Sequence, residues 1–139
     1  MFTLSIVTPE RVYYDGLVTS LVVPGTEGYL GVLSNHAPLI TALQNGRIEF
    51  RDTDDTVHIL AVSGGFLEVF DNKATLLADT VEASEEIDID RAQNAFERAK
   101  KKLEELNSGV SPEMINEQEA REALERARNR LKVYRDTHD

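Results

Sequence analysis

The sequence predicts an α+β protein: an N-terminal antiparallel β-sandwich followed by a C-terminal antiparallel α-helical hairpin. Three observations carry this. Charge is unevenly divided: residues up to Glu85 hold 4 basic and 12 acidic side chains, whereas the rest of the chain holds 11 basic and 13 acidic. Glycine and proline are segregated, with every glycine except Gly109 and three of the four prolines in the first part. Apolar residues recur at strand spacing in the first part and at helix spacing in the second. The boundary falls near Ala83–Glu86, giving a sandwich over residues 1–84 and a hairpin over residues 85–139.

Phe2, Leu4 and Ile6 alternate with Thr3, Ser5 and Val7, the period of a half-buried strand that Thr8-Pro9-Glu10 ends. Leu17 to Val23 is rich in β-branched residues between Gly16 and Pro24-Gly25. Gly46 to Phe50 and Val57 to Val62 flank the polar turn Asp52-Thr53-Asp54-Asp55. Phe66 to Phe70 and Lys73 to Leu77 flank Asp71-Asn72, a tight-hairpin signal. Short strands broken by regularly spaced turn residues suit a sandwich or barrel.

Beyond the boundary, Ala92, Ala95, Phe96, Ala99, Leu103 and Leu106 mark one helix face. Ala120, Ala123, Leu124, Ala127, Leu131 and Tyr134 repeat the same spacing on a second helix. Two helices packing on each other converge on such a match without a duplication. Asn107-Ser108-Gly109 offers a helix stop, and Ser111-Pro112 a cap and first-turn proline. Six of the twelve seam positions are alanine. A buried methyl contributes about 0.8 kcal/mol, so these six supply roughly 5 kcal/mol at most. Ordering each residue costs about 1–2 kcal/mol. The seam is therefore thin, and the hairpin is expected to unpack or to exchange partners.

The total charge of −10 argues against general nucleic-acid binding, which needs a basic surface. The absence of cysteine excludes disulfides, a thiolate nucleophile and thiolate metal sites. No apolar run approaches the roughly 18 residues of a membrane span, and the N-terminus lacks the pattern of a signal peptide. A soluble protein on the cytoplasmic side is expected. Gly25-Thr26-Glu27-Gly28-Tyr29-Leu30-Gly31 lacks the Lys-Ser/Thr of a phosphate loop and reads as a turn. Ala61-Val62-Ser63-Gly64-Gly65 misses the first glycine of a nucleophile elbow. His36, His58 and His138 lack metal-ligand spacing. No catalytic constellation and no metal site is expected.

Two features remain. Lys100-Lys101-Lys102 lie late in the first helix, and Arg121, Arg126, Arg128, Arg130, Lys132 and Arg135 crowd the second. These cations read as a solvated face with i,i+4 pairs such as Glu122–Arg126, as a docking surface for an acidic protein, or as both. In Ile87-Asp88-Ile89-Asp90-Arg91-Ala92, Asp88 reads as a helix N-cap and Asp90 as a first-turn acid.

Over essentially its whole length the chain resembles the epsilon subunit of the bacterial F-type ATP synthase. The likeness rests on Gly28-Tyr29-Leu30-Gly31-Val32-Leu33-Ser34-Asn35-His36-Ala37-Pro38-Leu39 and on Ala61-Val62-Ser63-Gly64-Gly65-Phe66-Leu67-Glu68-Val69. Glu86-Ile87-Asp88-Ile89-Asp90-Arg91-Ala92 and Arg126-Ala127-Arg128-Asn129-Arg130-Leu131 complete it. The resemblance implies a non-catalytic rotor subunit of the central stalk, peripheral to the cytoplasmic face of the bacterial plasma membrane. Its sandwich is expected to join the gamma subunit to the c ring. Its hairpin is expected to inhibit ATP hydrolysis by extending toward the alpha/beta catalytic head. The same resemblance implies that Gly28, Tyr29, Leu30, Gly31 and His36 face the c ring, with Tyr29 where some relatives carry an acidic residue. It implies beta-subunit contacts through Arg121, Arg126, Arg128 and Arg130. No cofactor is required, but a regulatory ATP site is implied at Glu82, Ile87, Asp88, Arg91, Ala92, Arg98, Arg126 and Arg130. A free adaptor that uses its hairpin to bind partners is the competing reading, and co-purification with gamma separates the two.

Overall fold

The computed structural model describes residues 1–107 and 117–138. The chain divides into two compact units, Met1–Ser84 and Glu85–Asp139. The first contains β1 (Phe2–Val7), β2 (Val12–Gly25), β3 (Gly28–Val32), β4 (Leu39–Ala42), β5 (Gly46–Asp52), β6 (Val57–Ser63), β7 (Phe66–Phe70), β8 (Lys73–Leu77) and β9 (Thr80–Ala83). The second contains α1 (Ile89–Asn107) and α2 (Glu117–His138). A short 3-10 turn at Ser84–Glu86 precedes α1.

The strands form a sandwich with the hydrogen-bonded order β4-β7-β8-β1-β2-β5-β6-β9, and β3 pairs the far end of β2. The alternation of Phe2, Leu4 and Ile6 puts all three inside, where they meet Val18, Leu21, Ile48, Phe50, Val62, Leu67 and Leu76 in one apolar core. β5–β6 and β7–β8 pair as antiparallel hairpins across the expected turns. Asp71 and Asn72 both take positive φ, at 50° and 60°, as a primed two-residue turn demands.

Four features depart from the sequence expectation. β2 begins at Val12 rather than Leu17, because its first half, from Val12 to Val18, pairs with β1. β3, β4 and β9 carry no strong strand signal, and their tertiary partners define them. The glycine-rich Gly25–Gly31 segment is a hairpin whose second limb is strand, with Pro24 opposite Tyr29 and Gly25 opposite Gly28. β1 runs parallel to β8. The turn between β6 and β7 needs its glycine: Gly65 has φ of 113°, and a Cβ there would collide with the carbonyl oxygen of Leu77.

In the second unit, α1 and α2 pack against each other. Ala92, Ala99, Ala120, Ala127 and Leu131 are buried, while Ala95, Phe96, Leu103, Ala123, Leu124 and Tyr134 are half-buried. The expected stripe is thus the covered one, although Val133, outside it, is also buried. A cleft of about 250 Å³ joins Gln93 and Phe96 to Arg128, Leu131, Lys132, Arg135 and Asp136. Early α1 meets late α2, so the helices run antiparallel. The expected stop beyond Asn107 and the cap at Ser111-Pro112 lie outside the described residues, as does the side chain of Leu106.

Candidate functional site: two loops and two cationic flanks

The segment from Gly28 to Pro38 is built on the β2–β3 hairpin. Tyr29 is 60% exposed, and its hydroxyl accepts a hydrogen bond from the Arg47 backbone N–H at 3.3 Å. This packing requires Gly46, where a Cβ would stand 2.6 Å from Pro24 Cβ. Leu33 is 64% exposed. The following bend is tied down by Asn72: the Asn35 N–H donates to Asn72 Oδ1 at 2.8 Å, and Asn72 Nδ2 donates to the Met1 carbonyl at 3.0 Å. His36 is a loop residue, with Nδ1 2.7 Å from the Ala37 carbonyl. Gly28, Tyr29 and Gly31 are exposed, and Leu30 and His36 are half-buried. They form the largely exposed, weakly charged tip of this segment.

The start of α1 confirms the capping reading. Asp88 Oδ1 accepts from the Arg91 N–H at 3.1 Å, and the Asp88 carbonyl accepts from the Ala92 N–H at 2.9 Å. Asp90 lies in the first turn, where the helix dipole favours an anion. Ile87 and Ala92 are buried, while Asp88, Arg91 and Arg98 are exposed. Glu82 is half-buried on β9.

Helical spacing sorts the cations into two groups. On α2, Arg121, Arg128 and Arg135 recur every seven residues with Lys132 between them, so all four share one flank of the buried seam. Arg126 and Arg130, four apart, lie on the opposite flank. On α1, Gln93 borders the cleft with Arg128, Lys132 and Arg135. Arg91 and Arg98 fall on the other side of the α1 stripe. The hairpin therefore has one face bearing Arg121, Arg128, Lys132 and Arg135, and another bearing Arg91, Arg98, Arg126 and Arg130. The four arginines expected to meet a beta subunit divide between these faces. The four expected to meet phosphates share one.

Local pairing satisfies some of these charges. Arg121 bonds Glu117 at 2.6 Å and Arg128 bonds Glu125 at 3.2 Å, both at exposed positions where such pairs contribute little. Glu122 accepts from Gln118 at 3.1 Å, in place of the expected Arg126 partnership. Among the described residues, no group of three or more His, Cys, Asp or Glu could hold a metal. No helix among them is long and apolar enough to cross a membrane.

One polar cluster escaped the sequence reading. His58 stacks on Phe50 with centroids 4.6 Å apart and planes 7° from parallel, and its Nε2 lies 2.9 Å from Asp52 Oδ2. Asp52 Oδ1 accepts from the backbone N–H groups of Asp54 and Thr56 at 2.9 and 3.0 Å. The His58 contact and then these turn bonds hold the Asp52 carboxyl below its usual range. Tyr14, 4.6 Å from Phe50 by ring centroid, is pushed up by burial and then by the charges of Asp52 and Asp15. The cluster staples the β5–β6 hairpin.

The beta-sandwich domain of the ATP synthase delta/epsilon chain matches residues 1–84, and the long alpha-helix domain of the same chain matches residues 85–135. The ATP synthase epsilon chain of Syntrophomonas wolfei is 44% identical over 132 residues, covering 95% of this chain and 93% of its own. That of Moorella thermoacetica is 46% identical over 130 residues, covering 94% and 93%. A chain in the Euglena gracilis mitochondrial ATP synthase, solved as an OSCP/F1/c-ring assembly, superimposes with a TM-score of 0.75 at 23% identity. It covers 91% of this chain and 76% of its own, which shows the shared fold.

Proposed function

From the premise that the chain belongs to the ATP synthase delta/epsilon family, as a non-catalytic stalk subunit, we propose how its two units divide the work. The sandwich links the gamma subunit to the c ring, with the Gly28–His36 tip directed at the ring. The hairpin restrains ATP hydrolysis by leaving its folded state and presenting cations to the acidic surface of the catalytic head. The protein acts on the cytoplasmic side of the bacterial plasma membrane, held there through the complex.

The observation that carries this reading is the contrast built into the second unit. Half of its seam positions are alanine, while both its flanks are cationic. A thin seam opens at low cost. Cations flanking it then reach acidic groups from an extended helix. In the folded hairpin, Arg91, Arg98, Arg126 and Arg130 lie on one flank, an arrangement suited to charge-assisted bonds with a nucleotide's phosphates. Bound ATP would then favour the folded, non-inhibitory form by mass action.

Truncation after Ala83, assayed in the assembled complex with and without ATP preincubation, tests the inhibitory role. Assembly is expected to persist and hydrolysis to rise; unchanged hydrolysis removes that role. Calorimetry of the full chain with ATP tests the nucleotide site, and an absence of heat at millimolar ATP rejects it.

A further inference from the structure

The cleft between early α1 and late α2 has a floor and an edge of different chemistry. Phe96 and Leu131 line it with apolar surface. Leu131 is buried and Phe96 half-buried, so both lie deeper than the charged groups around them. Arg128, Lys132 and Arg135 border the same cleft and are exposed. Their spacing, i, i+4 and i+7, puts all three on one side of α2. Gln93 and Asp136 complete the lining, and three cations against one carboxylate leave the cleft a net charge of +2.

Like charges at these spacings repel along a helix, so the arrangement weakens α2 unless an anion answers it. Among the described residues, no hydrogen bond or ion pair reaches the Lys132 or Arg135 side chain. Arg128 meets Glu125 in an exposed pair at 3.2 Å. Across the cleft, α1 supplies no counter-charge. The Gln93 side-chain nitrogen donates to Glu97 along its own helix at 3.0 Å, and Glu97 does not line the cleft. The helix dipole favours a cation in the last turn, which accounts for Arg135. It does not account for unpaired cations gathered around a half-buried phenylalanine.

We propose that this cleft binds a small organic phosphate monoester, its apolar group over Phe96 and Leu131 and its phosphate among Arg128, Lys132 and Arg135. A phosphate dianion matches the net charge of the lining, and guanidinium and ammonium groups make charge-assisted bonds to its oxygens. The volume of about 250 Å³ lies below the roughly 300–1,000 Å³ of drug-sized pockets, so the organic part is limited to about one ring. The site exists only while α1 packs on α2, because Phe96 comes from one helix and the cations from the other. The ligand therefore favours the folded hairpin by mass action. It does so from the flank opposite Arg91, Arg98, Arg126 and Arg130, and its binding to the chain alone does not depend on the stalk reading.

The test titrates the full chain with phenyl phosphate and follows the NMR signals of the Phe96 ring and the Leu131 methyls. Inorganic phosphate, sodium sulfate and phenol serve as separate probes. Saturable shifts at both residues are expected at millimolar phenyl phosphate, with at least about 10-fold weaker binding of each separate probe. Lys132→Gln/Arg135→Gln is expected to weaken phenyl phosphate at least about 10-fold. Lys101→Gln/Lys102→Gln removes the same charge outside the cleft and should bind as the wild type does. All four positions are exposed, so the variants should keep the wild-type helical circular dichroism, which shows that they fold. Absence of saturable shifts overturns the proposal. Equal losses in the two double variants, or equal binding of sulfate, reduce it to diffuse attraction and overturn it. Equal binding of inorganic phosphate overturns the organic class of ligand. Displacement by ATP that Arg126→Gln/Arg130→Gln abolishes assigns the ligand to the other flank and overturns the site. None of these results bears on the truncation that tests inhibition.

Discussion

The two units of this chain bury their apolar residues in opposite styles. In the sandwich, Phe50, Leu4, Ile6, Leu21, Ile48, Leu67 and Leu76 are almost wholly enclosed. Each such side chain contributes about 1.5–3 kcal/mol on burial. In the hairpin the enclosed positions are mainly Ala92, Ala99, Ala120 and Ala127, with Leu131 and Val133 as the larger members. The larger seam residues Phe96, Leu103 and Leu124 remain partly exposed. On the reading proposed above, the volume of the interior side chains is what lets one chain hold both a fixed platform and a releasable arm. Both units have clear apolar periodicity, and they differ in the depth of their packing.

The largest expected effect comes from cutting both interiors in the same way. Leu4→Ala should lower sandwich stability by about 2–5 kcal/mol, because it leaves a cavity in a closed core. Leu103→Ala should cost the hairpin about 1 kcal/mol, since that side chain is already partly in water. Urea denaturation of each variant measures both; equal losses would break the comparison.

Overpacking probes the same contrast from the other side. Ala99→Leu forces a larger group into an alanine seam and should destabilise the folded hairpin by about 1–3 kcal/mol. In the complex it should favour the extended arm and strengthen inhibition. A stabilised hairpin would mean that the seam has room to spare. The cap is a smaller lever: Asp88→Ala removes the acceptor for the Arg91 N–H and should cost about 1 kcal/mol of α1 stability, read by circular dichroism.

The pattern of success in reading the sequence follows the same division. Phe2, Leu4 and Ile6 announced a strand because one face is buried and the other is not. The α1 and α2 stripes, and the Asp88 cap, were equally plain because helical contacts are local. β3 and β4 were hidden because Gly28–Val32 is glycine-rich and Leu39–Ala42 is short, and partners distant in sequence decide that they are strands. The parallel β1–β8 pairing is a long-range choice with no local signature. At the candidate sites, the tip and the cationic helix were visible as residue types. The sorting of arginines into two flanks needed the register of α1 against α2. The Asp52–His58 staple needed the cross-strand pairing of Phe50 with His58.

That staple gives the smallest expected effect. Because the folded Asp52 carboxyl titrates below the ordinary value of 3.8, its contribution is fully present above that value. It is lost as the pH falls through the folded value. Amide signals of the β5–β6 turn should loosen over that acidic range in the wild type, whereas Asp52→Asn should show a turn already loosened at neutral pH. A turn indifferent to both changes would show that strand pairing alone holds it.

The central claim is that the hairpin opens without the sandwich, and native-state amide exchange of the full chain tests it most directly. The account predicts that α1 and α2 amides exchange at least about 100-fold faster than those of β1, β2 and β5. Exchange from the helices as slow as from those strands would contradict it.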